Sequence, residues 1–511
     1  MFQSLRDPLL LLVLLAISFV GSDALLAQAQ LPRAGQNFTF GIIEGPYSFA
    51  DSLVYLQGTS LTLTVVSAYS GCGVISSPSG YTAEFSFQPL VPTVITLPTN
   101  LIHINDLGKT EKGLLVHTTA PVNLVLHDYV QFGGDASQIL PDPALDTSYV
   151  AFGWGIWDDV EEHNSTEFIV TASQDSTSVT IVPSVKTELN QPDSVPFTIM
   201  LNRGECYIVK ADIIDLPFDP SLSGSVIHAS KPVSIVDGLT CAYNPLQVEA
   251  CNELMDELIG KKWWGSHFYT QPIDRYDSGG TLVLTSSQDF SARINGNVLN
   301  SFHGRLSTTF FGPIEVHTFN GVGPIPVEAQ QLTRSYSFSD SLNGDPSLVS
   351  VLDTAYYTDT LLWNTPSYEF EHSVPIICPT ADLSRATLDG TPLSALAPSK
   401  VINGSRFSAI DPGITPGEHR IISPDPVFAI SAGFFDADAY TFIAGTAGTP
   451  SPKNPVNHTI VYTSDSARAC SDFNVNASIQ PPLQDSEGLV SLTITVAYDP
   501  TAMHLVAVEP M

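Results

Sequence analysis

The sequence predicts an all-β protein of tandem sandwich-like units, and three observations lead to that class. Apolar and polar residues alternate in short runs rich in Val, Ile, Thr, Phe and Tyr, each bounded by Gly, Pro, Asn, Asp or Ser. That is the pattern of half-buried strands between turns. Only 14% of the 511 residues are charged, against 43% hydrophobic, which is too little charge for a disordered or coiled-coil chain. Two kinds of segment then recur in a fixed order, the mark of repeated supersecondary units.

The first kind, A, reads as a hairpin with a polar turn. Its clearest copies are residues 167–182 and 281–296, which share Ser-Gln-Asp at the turn; 374–389 is weaker and 61–97 the most degraded. The second kind, B, reads as a hairpin whose return strand opens with Pro-Val, at residues 114–125, 225–236 and 419–430, with a looser, longer-turned copy at 314–327. Proline suits the first residue of a strand because the ladder there need not use its missing N–H. Pro121 and Pro232 are 111 residues apart, His228 and His317 are 89 apart, and His317 and Ile422 are 105 apart, so four A/B units with a period of about 100 residues are expected. A β-sandwich array fits this period, with paired propeller blades as the alternative.

Residues 1–29 read as a secretory signal peptide: a charged start, an apolar run over 9–20 broken only by Ser18, then small residues. That run is short of the roughly 20 residues a membrane span needs. Small-x-small sites at Val20-Gly21-Ser22 and Ala27-Gln28-Ala29 leave the mature start open between Asp23 and Gln30. The repeat region is expected over 30–448, a Gly/Pro/Ser-rich linker over 449–457 and a short β segment over 458–511. These features imply a secreted product without membrane insertion. Five glycosylation triplets, at Asn37, Asn164, Asn403, Asn457 and Asn476, agree with that route. So do six cysteines without a CxxC pair, which favour disulfides over a zinc cluster. Cys241 and Cys251 are close enough to pair as a clasp, while the pairing of Cys72, Cys206, Cys378 and Cys470 stays open. The formal charge of -32 disfavours nucleic acid as a partner.

Residues 249–259 break the β pattern. Glu253, Leu254, Asp256, Glu257 and Leu258 favour helix, Leu254 and Leu258 sit i,i+4 on one face, and Gly260 ends the segment. The succession Lys231-Pro-Val-Ser-Ile-Val-Asp-Gly238, Cys241, Cys251-Asn252, an acidic Leu-containing turn and Trp264-Gly-Ser-His-Phe268 resembles the IgGFc-binding family, in the N-terminal domain of a large secreted mucus protein. Residues 149–154 and 201–207 are similar to that family too. This chain departs from it in a longer gap between the two cysteines, in Ile259-Gly260 where the family has Pro-Pro, and in lacking cysteine-dense repeats. The resemblance implies an extracellular, mucus- or matrix-associated module that binds proteins or glycoproteins. Fc binding is not carried over with it.

Motifs for enzyme chemistry fail: HExxH, GxSxG and GxxxxGK[ST] are all missing. No catalytic residue and no cofactor are therefore expected. His117, His228 and His317 recur at equivalent B positions, which points to a scaffold role shared by repeated units. Asp436 and Asp438 have the alternate spacing that could hold calcium, but calcium takes about six to eight oxygens, and plain solvation is preferred. Asp158, Asp159, Glu161 and Glu162 beside Trp154 and Trp157 read as an exposed loop. Trp263, Trp264 and Phe268 are candidates for partner anchors or for packing against Leu254 and Leu258 beside the clasp; packing is preferred, given the area an indole buries. The alternative function, a carbohydrate-active enzyme on a propeller, needs Asp and Glu from separate repeats to converge in one cleft.

Overall fold

The computed structural model describes residues 30–44, 60–130, 133–154, 165–212, 221–245, 251–273, 279–334, 345–366, 370–435 and 438–446. The chain divides into two units, Met1–Leu31 and Pro32–Met511, and every strand among the described residues belongs to the second. The signal peptide, the linker and the C-terminal β segment lie outside the described residues, as do Asn164, Asn457, Asn476, Cys470, Asp436 and the acidic loop at 158–162.

Strands account for every regular element longer than three residues among the described ones. The chain is all-β. The expected B hairpins, however, are single long strands: Leu114–Val130, Val226–Ala242 and Gly417–Phe435 each run straight through their Pro-Val. The clearest A segments, 167–182 and 281–296, are not hairpins either, although 61–97 contains one, Gly71–Ser76 with Thr82–Phe87. Thr166–Ala172 pairs with residues 233–239 of the second long strand, while Thr177–Val182 pairs with residues 226–229. Both members of A therefore lie on different halves of B. The physical reason sits at the proline: pairing of this strand with Asp146–Val150 breaks register between His228 and Val233, on either side of Pro232. A residue without an N–H and an interrupted ladder let a strand bend from one layer into the next.

Each long strand thus runs through one curled sheet and takes different partners along its two halves. Leu114–Val130 carries Gly71–Ser76 on its first half and Ser60–Val66 on its second, and Ile75, Phe87 and Val116 meet Leu61, Leu63 and Leu126 in the same buried cluster. Burying each such side chain contributes about 1.5–3 kcal/mol. Two layers on a shared core are the sandwich arrangement. At residues 314–332 the long strand is cut in two, Ile314–Phe319 and Glu328–Leu332, which belong to separate four-stranded sheets. The intervening loop contains Pro324 and Pro326.

The expected helix at 249–259 is a strand, Asn252–Glu257, paired with the second half of Val226–Ala242. Both of its faces are buried, Met255 in one core and Leu254 in another, so an i,i+4 pattern over so short a run misreads the period. Its acidic residues are held in the interior. Asn252–Glu257, Gly133–Ile139, Leu348–Ser350 and Asp438–Ile443 meet through one carboxylate. Asp135 Oδ1 accepts the N–H of Ala136 (2.8 Å) and Thr441 (3.3 Å), and Oδ2 accepts those of Met255 (3.1 Å) and Leu348 (3.0 Å). Asn252 makes a second tie, accepting from Gly134 N–H and donating to the Gly134 and Pro346 carbonyls. Asp256 completes the set, taking the hydroxyls of Ser137 and Ser350. Far in sequence, Arg33 closes the ends of this unit by donating to Ala444 O at 2.8 Å.

The buried acids set the sign of the pH dependence. Burial raises Asp256 to about 6, Asp345 to about 7 and Glu257 to about 8, above the unfolded range near 4. The folded chain holds the extra protons, so this contribution is complete below about pH 4 and is lost as pH rises through about 6 to 8. His103 and His127 act oppositely: burial lowers them to about 4 and about 3, so their contribution is lost as pH falls below about 6.5. The melting temperature should therefore fall between about pH 6.5 and 8, and a steady rise over that interval would refute the protonated interior. Asp135→Ala should cost at least about 3 kcal/mol in urea unfolding, because it leaves buried N–H groups on three other strands without an acceptor. A loss below about 1 kcal/mol would show that the carboxylate does not hold them.

Candidate functional site

Cys241, near the end of Val226–Ala242, is bonded to Cys251 just before Asn252–Glu257, with Cα atoms 5.1 Å apart. Of the cysteines whose pairing the sequence left open, Cys72, Cys206 and Cys378 are free thiols, and Cys470 lies outside the described residues. Cys206 and Cys378 are core residues, and burial pushes each thiol up to about 12. Downstream of the clasp, the Trp264 indole donates to Ile259 O at 2.9 Å and the Trp263 indole to Ala144 O at 2.6 Å. Trp263 stands edge-on to Tyr356, and Lys262 Nζ lies 5.1 Å over its ring. Leu254 and Leu258 are buried in the core of Phe168, Val170 and Leu239. Both indole N–H groups are satisfied, Trp264 is 8% exposed and Phe268 2%. Trp263 is half-buried, and the cluster that holds Leu254 and Leu258 includes none of Trp263, Trp264 and Phe268.

Beside it, alternation puts a polar cluster on the outer surface. In His267–Thr270, Phe268 and Thr270 turn to one face and His267 and Tyr269 to the other, where His267 is partly exposed and Tyr269 is covered (3% exposed); in Ile314–Phe319, Glu315 and His317 share a partly exposed face. The two strands are antiparallel with His267 opposite His317 and Tyr269 opposite Glu315. Cross-strand neighbours on one face come within touching range. The imidazoles stack with centroids 3.9 Å apart, and the Nε2 atoms of both lie 3.2 Å from Glu315 Oε1. Tyr269 donates its hydroxyl to the same oxygen at 2.7 Å, and Asn403 Nδ2 reaches Oε2 at 3.3 Å. Partial burial raises the Glu315 carboxyl, but the hydrogen bonds from Tyr269, Asn403 and the two histidines outweigh it and bring it down to about 2. Burial, with His317 alongside, lowers His267, and burial with Glu315 alongside raises Tyr269 to about 12. An ionised carboxylate therefore faces a neutral His267 at neutral pH. Next to it a surface hollow of about 440 Å³ is lined by Arg293, His317, Phe319, Asn320 and Pro324, among others.

The recurring histidines explain how this cluster arises. His117 lies opposite Asn37 and bonds its Oδ1 at 2.8 Å; His228 lies opposite Ser148 and meets its Oγ at 3.2 Å. At the third position the opposite residue is a second histidine. Two residues before the histidine, Leu115 and Val226 are replaced by Glu315. The Glu-x-His spacing of 315 and 317 was the readable signal; the facing His267 needed the strand register. Elsewhere, Asn37 and Asn403 are exposed, and Asp438 is a buried interior residue, 3% exposed, not part of an open loop. The acids from separate segments do converge, as the enzyme alternative required, but in a closed interior: Asp135, Asp237, Glu253, Asp256, Glu257 and Glu328 are all at most 4% exposed.

A sequence profile described as "IgGFc binding protein" matches residues 135–433, more than half of the chain. The chain belongs to the IgGFc-binding family. The matched region opens at Asp135 and takes in the clasp, both tryptophans and the His267–Glu315–His317 cluster. The human IgGFc-binding protein is 23% identical over 209 residues, which is 39% of this chain and 4% of that relative's length. No solved structure matches. Within this member of the family, Trp264→Ala should lower stability by about 3–5 kcal/mol, as truncation of a buried indole does. An unchanged melting temperature with loss of binding to a partner would make Trp264 a contact residue instead.

Proposed function

We propose that this chain is a secreted, extracellular binding module that recognises protein or glycoprotein ligands in mucus or matrix, and is not an enzyme. The observation that carries the reading is where large apolar side chains stand in solvent. Phe302 is 76%, Phe311 72% and Val322 97% exposed, all at turns between residues 300 and 323 of the family region. Large apolar side chains left in solvent at successive turns, Phe302 and Phe311 at either end of the strand Arg305–Phe310, are available as separate contact points for a protein partner, and the net charge of -32 favours neutral or basic partners. Export is supported by the leader-like N-terminus, by triplets exposed at Asn37 and Asn403, and by the Cys241–Cys251 bond. No helix among the described residues is long and apolar enough to cross a membrane. The glycan-hydrolase alternative loses its support from the buried acids, whose oxygens bond strand N–H groups and hydroxyls in place of a substrate.

The human relative's name attaches Fc binding to that much longer protein, so Fc is one arm of the test and not the premise. The chain secreted from eukaryotic cells would be immobilised and titrated with a purified mucin glycoprotein and, separately, with IgG Fc. Saturable binding to either, weakened roughly tenfold or more by Phe302→Asp or Val322→Asp, is expected. Absence of saturable binding to both, or binding indifferent to both substitutions, would overturn the assignment.

A further inference from the structure

We propose that His267 Nε2, His317 Nε2 and Glu315 Oε1 form a binding site for a zinc ion on the outer face of the Ile314–Phe319 strand. The three ligand atoms lie within 4.8 Å of one another, and each Nε2 is 3.2 Å from Oε1. Zinc bonds of about 2.0–2.1 Å at tetrahedral angles place neighbouring ligand atoms about 3.3 Å apart. The nitrogen–oxygen separations match that spacing.

Hydrogen-bond capacity points the same way. With both rings protonated at Nε2 and no cation, Glu315 Oε1 would face three donors at once, the Tyr269 hydroxyl at 2.7 Å and two imidazole nitrogens at 3.2 Å. An oxygen with two lone pairs cannot serve three donors well. With zinc present, the two imidazoles leave the near-parallel stack they form here (20° between planes) so that both Nε2 lone pairs converge on the metal, and Oε1 gives one pair to the metal and one to Tyr269. The carboxylate is then held as metal-bound carboxylates are, by outer hydrogen bonds from Tyr269 and from Asn403. Asn295 Oδ1 fixes the Glu315 backbone by accepting its N–H at 2.9 Å.

The donor set selects the metal. Two imidazoles and one carboxylate suit zinc and similar transition ions, whereas calcium and magnesium require oxygen ligands. Three protein ligands leave a fourth position, and the histidine side chains are 32% and 41% exposed, so that position opens to water or to a donor from a partner. The site is independent of the mucin or Fc reading, and zinc binding succeeds or fails separately from it.

The full-length secreted chain, stripped with a chelator, would be titrated with zinc chloride by calorimetry. Binding of one zinc per chain in the micromolar range or tighter is expected. His267→Ala/His317→Ala should abolish it, Tyr269→Phe should weaken it roughly tenfold, and His228→Ala should leave it unchanged. Because a variant can fail to fold, zinc X-ray absorption on the unmodified protein provides a second reading: two imidazoles with oxygen ligation supports the site. No micromolar binding, equal binding by the double variant, or ligation without two imidazoles would overturn it.

Discussion

The fold depends on one carboxylate. Asp135 accepts four backbone N–H groups drawn from four strands that lie far apart in sequence. Strands that meet at a centre cannot all complete their ladders with one another, and an unpaired buried N–H costs about 1–3 kcal/mol. A single acceptor with two oxygens resolves the shortage for all four at once. Burial holds the Asp135 carboxyl well above the ordinary range, against the pull of the N–H donors. Such a centre adds specificity, since a slip of any one strand by a residue would point its N–H away from this acceptor.

Around that centre the repeated device is a long strand bent at Pro-Val. It lets one segment serve both halves of a curled sheet, so layers that face each other across a core are joined by one continuous strand. The cost is a missing ladder hydrogen bond, which proline never offered. Residues 314–332 depart from the device by splitting the strand, and the freed loop carries one wall of the surface hollow and the exposed Val322. Departure from the repeat and departure from a purely structural surface coincide.

The outer face shows the same economy. A histidine in the first half of B needs only a polar neighbour across the strand pair, which Asn37 and Ser148 supply. Changing that neighbour to His267 and adding Glu315 sets three chelating side chains on one face of an ordinary antiparallel strand pair. The scaffold reading of His117 and His228 and a chemical role for His317 are thus compatible. Function is grafted on positions that the fold already presents.

Residue pattern by itself determined the all-β class, the strand-and-turn punctuation, the family resemblance and the pairing candidate of Cys241 with Cys251, because alternation, turn chemistry and short-range spacing are local properties. Pro121, Pro232 and Pro426 were legible as special positions too, though not as bends within continuous strands. The tertiary structure alone decided what pairs with what. It made Asn252–Glu257 a strand where local propensity favoured helix, because burial on both faces and the ladder with Val226–Ala242 outweigh a few tenths of a kcal/mol per residue of intrinsic preference. It also set His267 against His317 and Asp135 against Met255, Leu348 and Thr441, contacts fixed by strand register across tens to hundreds of residues, which no local pattern encodes.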